Sequence, residues 1–103
     1  MQNKVQEFNK LRNCHTEKMP VSARVLDIQS EVGELAKEVL KNTKYGTKEF
    51  VLSDDFELEL GDVLYSLLSL ADETGVDAEA SLDRVLAKYK KRIENNDNMG
   101  SGR

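Results

Sequence analysis

Apolar residues recur along this chain in steps of three and four, the spacing of one helix face at about 100° per residue, and four such stretches are legible. Val5, Phe8, Leu11, Arg12, His15 and Met19 share a face and predict a first helix from Val5 to Met19, ended by Pro20. Val25, Ile28, Val32, Leu35 and Val39 form a clean seam on a second helix, with Ser22 as its N-cap and Tyr45-Gly46 as its stop. A third starts after Ser53, which can cap it while Asp54 and Asp55 sit on the positive end of its dipole, and closes at Gly75. Asp77 can cap a fourth, whose stripe is Leu82, Val85, Leu86, Tyr89 and Ile93. No strand-like run of Val, Ile and Thr interrupts them. The pattern predicts an all-α, four-helix-bundle-like domain over residues 1–95, followed by an aperiodic, disordered tail over 96–103.

The polar positions are the more informative ones. From Glu59 to Ala71 the polar side chains are Glu59, Asp62, Ser66 and Ser69, and on a helix they fall on one narrow stripe. A helix apolar nearly all round is buried, so this stripe must line something polar. Its motif, acid, aliphatic, Gly, acid, aliphatic, also occurs 28 residues earlier, in Glu31-Val-Gly-Glu-Leu. The two helices are joined by a short connection and are expected to pack antiparallel, pairing Glu31 with Asp62 and Glu34 with Glu59. That register leaves the second helix overhanging the third by about five residues, roughly 7 Å.

On the second helix Asp27, Glu31, Glu34 and Glu38 lie within about 60° of arc, and like charges spaced so closely repel. On the third, Glu59 and Asp62 are the only charges in an apolar run and would be costly to bury unpaired. Two pairs of carboxylates converging from facing helices make an all-oxygen site suited to Mg²⁺, with Mn²⁺ able to substitute. A carboxylate-bridged di-iron centre needs Glu-x-x-His on two helices, and the single histidine, His15, follows Arg12 at that spacing. On the fourth helix Lys88, Lys91, Arg92 and Asn95 occupy an arc of about 100° beside the apolar stripe. Cations next to a metal site point to a phosphate ligand.

Composition narrows the partners. The net charge of −4, from 15 basic and 19 acidic residues, argues against a nucleic-acid polymer or an anionic membrane surface. The lone Cys14 has no partner for an internal disulfide, and Cys14 and His15 diverge by about 100° on a helix, a poor metal pair. No apolar run has the length of a membrane span, and the expected location is cytoplasmic. At 103 residues a single core leaves much surface per volume, and the third helix presents Leu58, Leu60, Val63, Leu64, Tyr65, Leu67, Leu68 and Leu70 around most of its circumference. A second copy is expected to cover part of it, as a homodimer or a homotetramer built from a pair of dimers.

Glu31-x-x-Glu34 followed by Glu59-x-x-Asp62, within Glu-Val-Gly-Glu-Leu and Glu-Leu-Gly-Asp-Val-Leu, resembles the MazG-like all-α nucleotide pyrophosphohydrolases over roughly residues 20–95. Lys88-Tyr-x-x-Arg92 is similar to the Lys-aromatic-x-x-Arg of that family's last helix. The resemblance implies Mg²⁺-dependent hydrolysis of a nucleoside triphosphate at the α-phosphorus, releasing pyrophosphate and a monophosphate in nucleotide-pool housecleaning. It implies Glu31, Glu34, Glu59 and Asp62 as metal ligands, with Glu31, Glu34 or Glu38 positioning or deprotonating the water. Lys88, Arg92, Lys91 and Asn95 would contact phosphates. His15 is the candidate at the nucleobase, although it lacks the His-x-Pro-x-Asn context of dCTP-specific relatives. Two alternatives remain open: a non-catalytic helical module that binds a nucleotide or a partner, and a phosphoribosyl-ATP pyrophosphohydrolase.

Overall fold

The computed structural model describes residues 1–14 and 19–96. These form four helices, α1 (Gln2–Asn13), α2 (Val21–Asn42), α3 (Asp54–Thr74) and α4 (Ala78–Asn95), and no strand among the described residues. The caps of the last two helices are those expected. Ser53 Oγ accepts from the Phe56 N–H at 3.1 Å, Asp77 Oδ1 from the Ala80 N–H at 3.0 Å, and Gly75 ends α3 in the left-handed conformation at φ 75°.

Four boundaries differ from the expectation, the first being the start of α1 at Gln2 instead of Val5. α1 stops at Asn13, where the Cys14 N–H turns back to the Leu11 and Arg12 carbonyls, because Asn13 and Cys14 are poor helix formers. His15 and residues 16–18 of the expected helix lie outside the described residues, as do 97–103 of the expected tail. At the start of α2 the cap position is held by Pro20, not Ser22; the ring fixes a suitable φ of −66°, and the Pro20 carbonyl accepts from the Arg24 N–H at 3.0 Å. α2 ends at Asn42, ahead of Tyr45-Gly46. Lys44, Tyr45 and Gly46 all take positive φ, a tight reversal in which the Tyr45 N–H meets the Leu40 carbonyl at 2.7 Å. Thr43 braces it, donating to the Val39 carbonyl at 2.8 Å and accepting from the Gly46 N–H at 3.0 Å.

α3 is the centre of the packing, with α2 along one side and α1 along another. The buried apolar residues are Val5 on α1 with Val63 and Leu68 on α3, and Phe8 meets Tyr65 edge-to-face at 5.7 Å. α2 adds no buried apolar side chain; Val25, Val32 and Val39 of its expected seam are all substantially exposed, and its one buried residue is Arg24. The covered face of α2 is thus mixed, with Ile28 and Leu35 half-buried beside Arg24, Asp27, Glu31 and Glu38, and the other edge of the seam stays exposed. α4 does not close a bundle within this chain. Its start is tied to α1, since Gln2 Oε1 accepts from the Ala78 N–H at 2.9 Å and Gln2 Nε2 donates to the Val76 carbonyl at 2.9 Å. Beyond that α4 buries nothing, and Leu82, Val85, Leu86, Tyr89 and Ile93 all stand exposed. The radius of gyration, 17.2 Å, compares with about 13 Å for a compact chain of this length.

Candidate metal centre

The polar face of α2 carries Arg24, Asp27, Glu31, Glu34 and Glu38, and that of α3 carries Glu59, Asp62, Ser66, Ser69 and Glu73, each set in alternating steps of three and four. Run antiparallel, the two faces form one polar seam. Ser66 Oγ donates to Asp27 Oδ2 at 3.4 Å, in the same register that brings Glu31 opposite Asp62.

At one end the charges are closed. Arg24, 2% exposed, donates through Nε and Nη2 to the two Glu73 oxygens at 3.3 and 3.2 Å, and its Nη1 lies 3.7 Å from Asp27. Arg12 reaches the same Glu73 at 3.4 Å and donates to Tyr65 Oη at 2.8 Å; Tyr65 in turn donates to Asn9 Oδ1 at 2.7 Å, and Asn9 donates to the fully buried Ser69 at 3.3 Å. Every buried polar side-chain atom among the described residues has a partner.

At the other end they are open. Glu31, Glu59 and Asp62 bring one carboxylate oxygen each to within 4.8 Å of one another, the one such group among the described residues. No described Lys or Arg pairs with any of the three. Loss of hydration at the helix interface raises the Glu31 pKa above the ordinary carboxylate value, and the charges of Asp62, Asp27 and Glu59 raise it further. Glu59 is raised in the same way, by lost hydration and then by Asp62 and Glu34. Three hard oxygen donors with uncompensated charge could hold a divalent metal ion.

Residues 22–96, which include both acid motifs and all of α4, match the family model of the MazG nucleotide pyrophosphohydrolase domain. The chain belongs to this family. Among curated proteins, the uncharacterized protein YpjD of Bacillus subtilis (strain 168) is similar, 38% identical over 73 residues that cover 68% of this chain and 64% of the relative. The chain thus spans less than two-thirds of that relative's length. No solved structure matches it.

Within this MazG domain, Glu34 and Glu38 stand apart from the three clustered acids. Glu34 pairs with Lys37 at 3.6 Å and Glu38 with Lys41 at 3.3 Å, so the acid row of α2 does have lysine partners, at i,i+3. The charge of Glu34 is nonetheless felt by both Glu31 and Glu59. No described hydrogen bond or ion pair joins Lys88, Lys91, Arg92 or Asn95 to the acids; Lys88 flanks a shallow cleft with Ser81, Arg84 and Val85, and Arg92 lies over the Tyr89 ring at 5.8 Å. The closed end, Arg24, Glu73, Arg12, Tyr65 and Asn9, escaped the sequence reading. Its signal was there: the stripe of Glu59, Asp62, Ser66 and Ser69 continues by one more four-residue step to Glu73, and that of Glu31 steps back through Asp27 to Arg24. No described helix is long and apolar enough to cross a membrane.

Proposed function

We propose that the chain is a Mg²⁺-dependent nucleoside triphosphate pyrophosphohydrolase, converting a nucleoside or deoxynucleoside triphosphate and water to the monophosphate and pyrophosphate in the service of nucleotide-pool housecleaning. The observation that carries this reading is the uncompensated Glu31/Glu59/Asp62 cluster within a MazG domain. Those residues fit a small hard cation, with Glu34 completing the set by rotation about its exposed side chain. A cation bound there supplies charge neutralisation for the triphosphate. The chain's own part is to hold the carboxylates in place, to present Lys88, Lys91, Arg92 and Asn95 to phosphate oxygens, and to orient a water through Glu31, Glu34 or Glu38.

The reading includes a second copy. The chain exposes 7970 Å² where a compact monomer of this mass exposes about 5,800 Å², and the difference is on the scale of an obligate interface. The uncovered apolar surface includes the stripe of α4, Val25, Val32 and Val39 of α2, and Leu60, Leu64 and Leu67 of α3; Leu64 and Leu67 with Leu82 border a groove of about 950 Å³. A two-fold dimer through these faces covers them, and a pair of dimers extends the same principle.

The test is to separate products after incubation with Mg²⁺ and a panel of ribo- and deoxyribonucleoside triphosphates plus phosphoribosyl-ATP. The reading expects a monophosphate and pyrophosphate from at least one nucleoside triphosphate. Thermal protection by nucleotide without any product identifies a binding module, and turnover of phosphoribosyl-ATP alone identifies that substrate instead.

A further inference from the structure

We propose that Arg24 is a positioning residue for the acid cluster: its fork on Glu73 and Asp27 sets the register and spacing in which α2 delivers Glu31 to Glu59 and Asp62. The inference rests on the metal reading of that cluster.

The first observation is that α2 has no fully buried apolar anchor on α3, Ile28 and Leu35 being only half-buried. Its one buried residue is Arg24, and the buried apolar side chains of the described chain all come from α1 and α3. Apolar contact is non-directional and tolerates a roll or a slip between helices, whereas a bidentate guanidinium–carboxylate pair fixes both distance and plane.

The second is where the polar pins lie. Near the connection Asn42 Nδ2 donates to Ser53 Oγ at 2.8 Å; at the far end Arg24 grips Glu73 at 3.2 and 3.3 Å. Glu31 sits between the two, about 16 Å along α2 from Asn42 and about 10 Å from Arg24 at 1.5 Å per residue. Repulsion among Glu31, Glu59 and Asp62 pushes the helices apart at that point. Held at the connection and beyond Glu31 only by the single 3.4 Å Asp27–Ser66 hydrogen bond, α2 yields to that push; held by the Arg24 fork as well, it does not.

Substitution of Arg24 by Met removes the fork and leaves a folded chain, because Glu73 keeps Arg12 and the partly exposed Asp27 keeps Ser66 and water. The experiment titrates Mn²⁺ into the intact wild type and variants by electron paramagnetic resonance, with a thermal melt of each. Arg24→Met is expected to weaken Mn²⁺ binding about ten- to a hundredfold, the range for residues that orient metal ligands, and raised Mn²⁺ restores its turnover. Arg24→Lys, a single-point cation, falls between. Val5→Ala, which loosens the buried α1–α3 contact away from the seam, lowers the melting temperature and leaves Mn²⁺ affinity unchanged. If Arg24→Met does not fold, Arg24→Met/Glu73→Leu replaces the pair by apolar groups and carries the same expectation. Wild-type affinity in folded Arg24→Met, or an equal loss in Val5→Ala, overturns the proposal. Failure of the wild type itself to bind Mn²⁺ removes the metal reading and this inference with it.

Discussion

The two ends of the α2–α3 seam lie on the same pair of helices and treat their charge in opposite ways. At the Glu73 end two arginines meet one carboxylate, the group is almost fully buried, and hydrogen bonds run on through Tyr65 and Asn9 to Ser69. At the Glu31 end three carboxylates converge with no described cation beside them, and desolvation and mutual repulsion raise Glu31 and Glu59. The closed end shows that this chain can supply an arginine where it needs a permanent counter-charge. Its omission at the open end leaves room for a counter-charge from outside. On the proposed reading the same contrast gives the two ends different work: a buried, fully paired network specifies geometry, while an unpaired one is left for a ligand.

The largest effects expected are on turnover. Glu31→Gln, Glu59→Gln and Asp62→Asn each lower it about a thousandfold, the scale of the charge stabilisation a metal contributes. Glu38→Gln, whose carboxylate already has Lys41, has a smaller effect. Steady-state assays with circular dichroism on the same samples check this, and near wild-type activity in any of the three removes that residue from the centre. EDTA abolishes activity, Mg²⁺ or Mn²⁺ restores it, and Ca²⁺ binds without supporting it because its coordination is looser than octahedral.

Stability separates the two ends by sign. Glu73→Gln leaves Arg12 and Arg24 facing a neutral amide and destabilises by about 3 kcal/mol, whereas Glu59→Gln removes repulsion and raises the melting temperature of the metal-free protein. Thermal melts of the pair in EDTA decide it; two shifts of the same sign break the comparison.

Assembly is next. Leu86→Glu sits on the stripe of α4 that nothing in the described chain covers, so it leaves helicity intact and converts a dimer to a monomer by light scattering, with loss of activity. A wild type that is monomeric and fully active refutes the second copy. Tyr65 and Leu68 are unsuitable for this test, because Leu68 is buried within the chain and Tyr65 holds Asn9 and Arg12.

The smallest effect expected is with pH. Glu31 and Glu59 bind protons more tightly folded than unfolded, so their contribution to the metal-free fold is complete below 4.5 and is lost as pH rises through their raised values. Melts of the wild type and a Glu31→Gln/Glu59→Gln variant in EDTA should converge at acid pH and diverge above it, the wild type being the lower. Cation affinity runs the other way, falling as protons compete.

The helices and the acid register were legible because both follow from spacing. Steps of three and four gave the faces, Ser53, Gly75 and Asp77 gave the ends of α3 and α4, and the repeated Glu-aliphatic-Gly-acid motif gave the pairing of Glu31 with Asp62. The start of α2 was misplaced because Pro20 serves as the cap without a side-chain hydrogen bond, a role that Ser22 mimics in the sequence. How the apolar seam of α2 divides was not legible: Ile28 and Leu35 lie half-buried beside the acid row while Val25, Val32 and Val39 are exposed, and periodicity cannot say which edge of a seam the chain covers. The closed end was missed for a related reason. Arg24 and Glu73 are 49 residues apart and look like surface charges until the antiparallel register brings them together.

The most direct measurement is the shift in melting temperature on adding Mg²⁺ to the wild type and to Asp62→Asn, at pH 8 and at pH 5.5. The open end of the seam predicts a rise for the wild type that is larger at pH 8, and none for Asp62→Asn. No rise in the wild type, or an equal rise in both proteins, would contradict a metal centre at Glu31, Glu59 and Asp62.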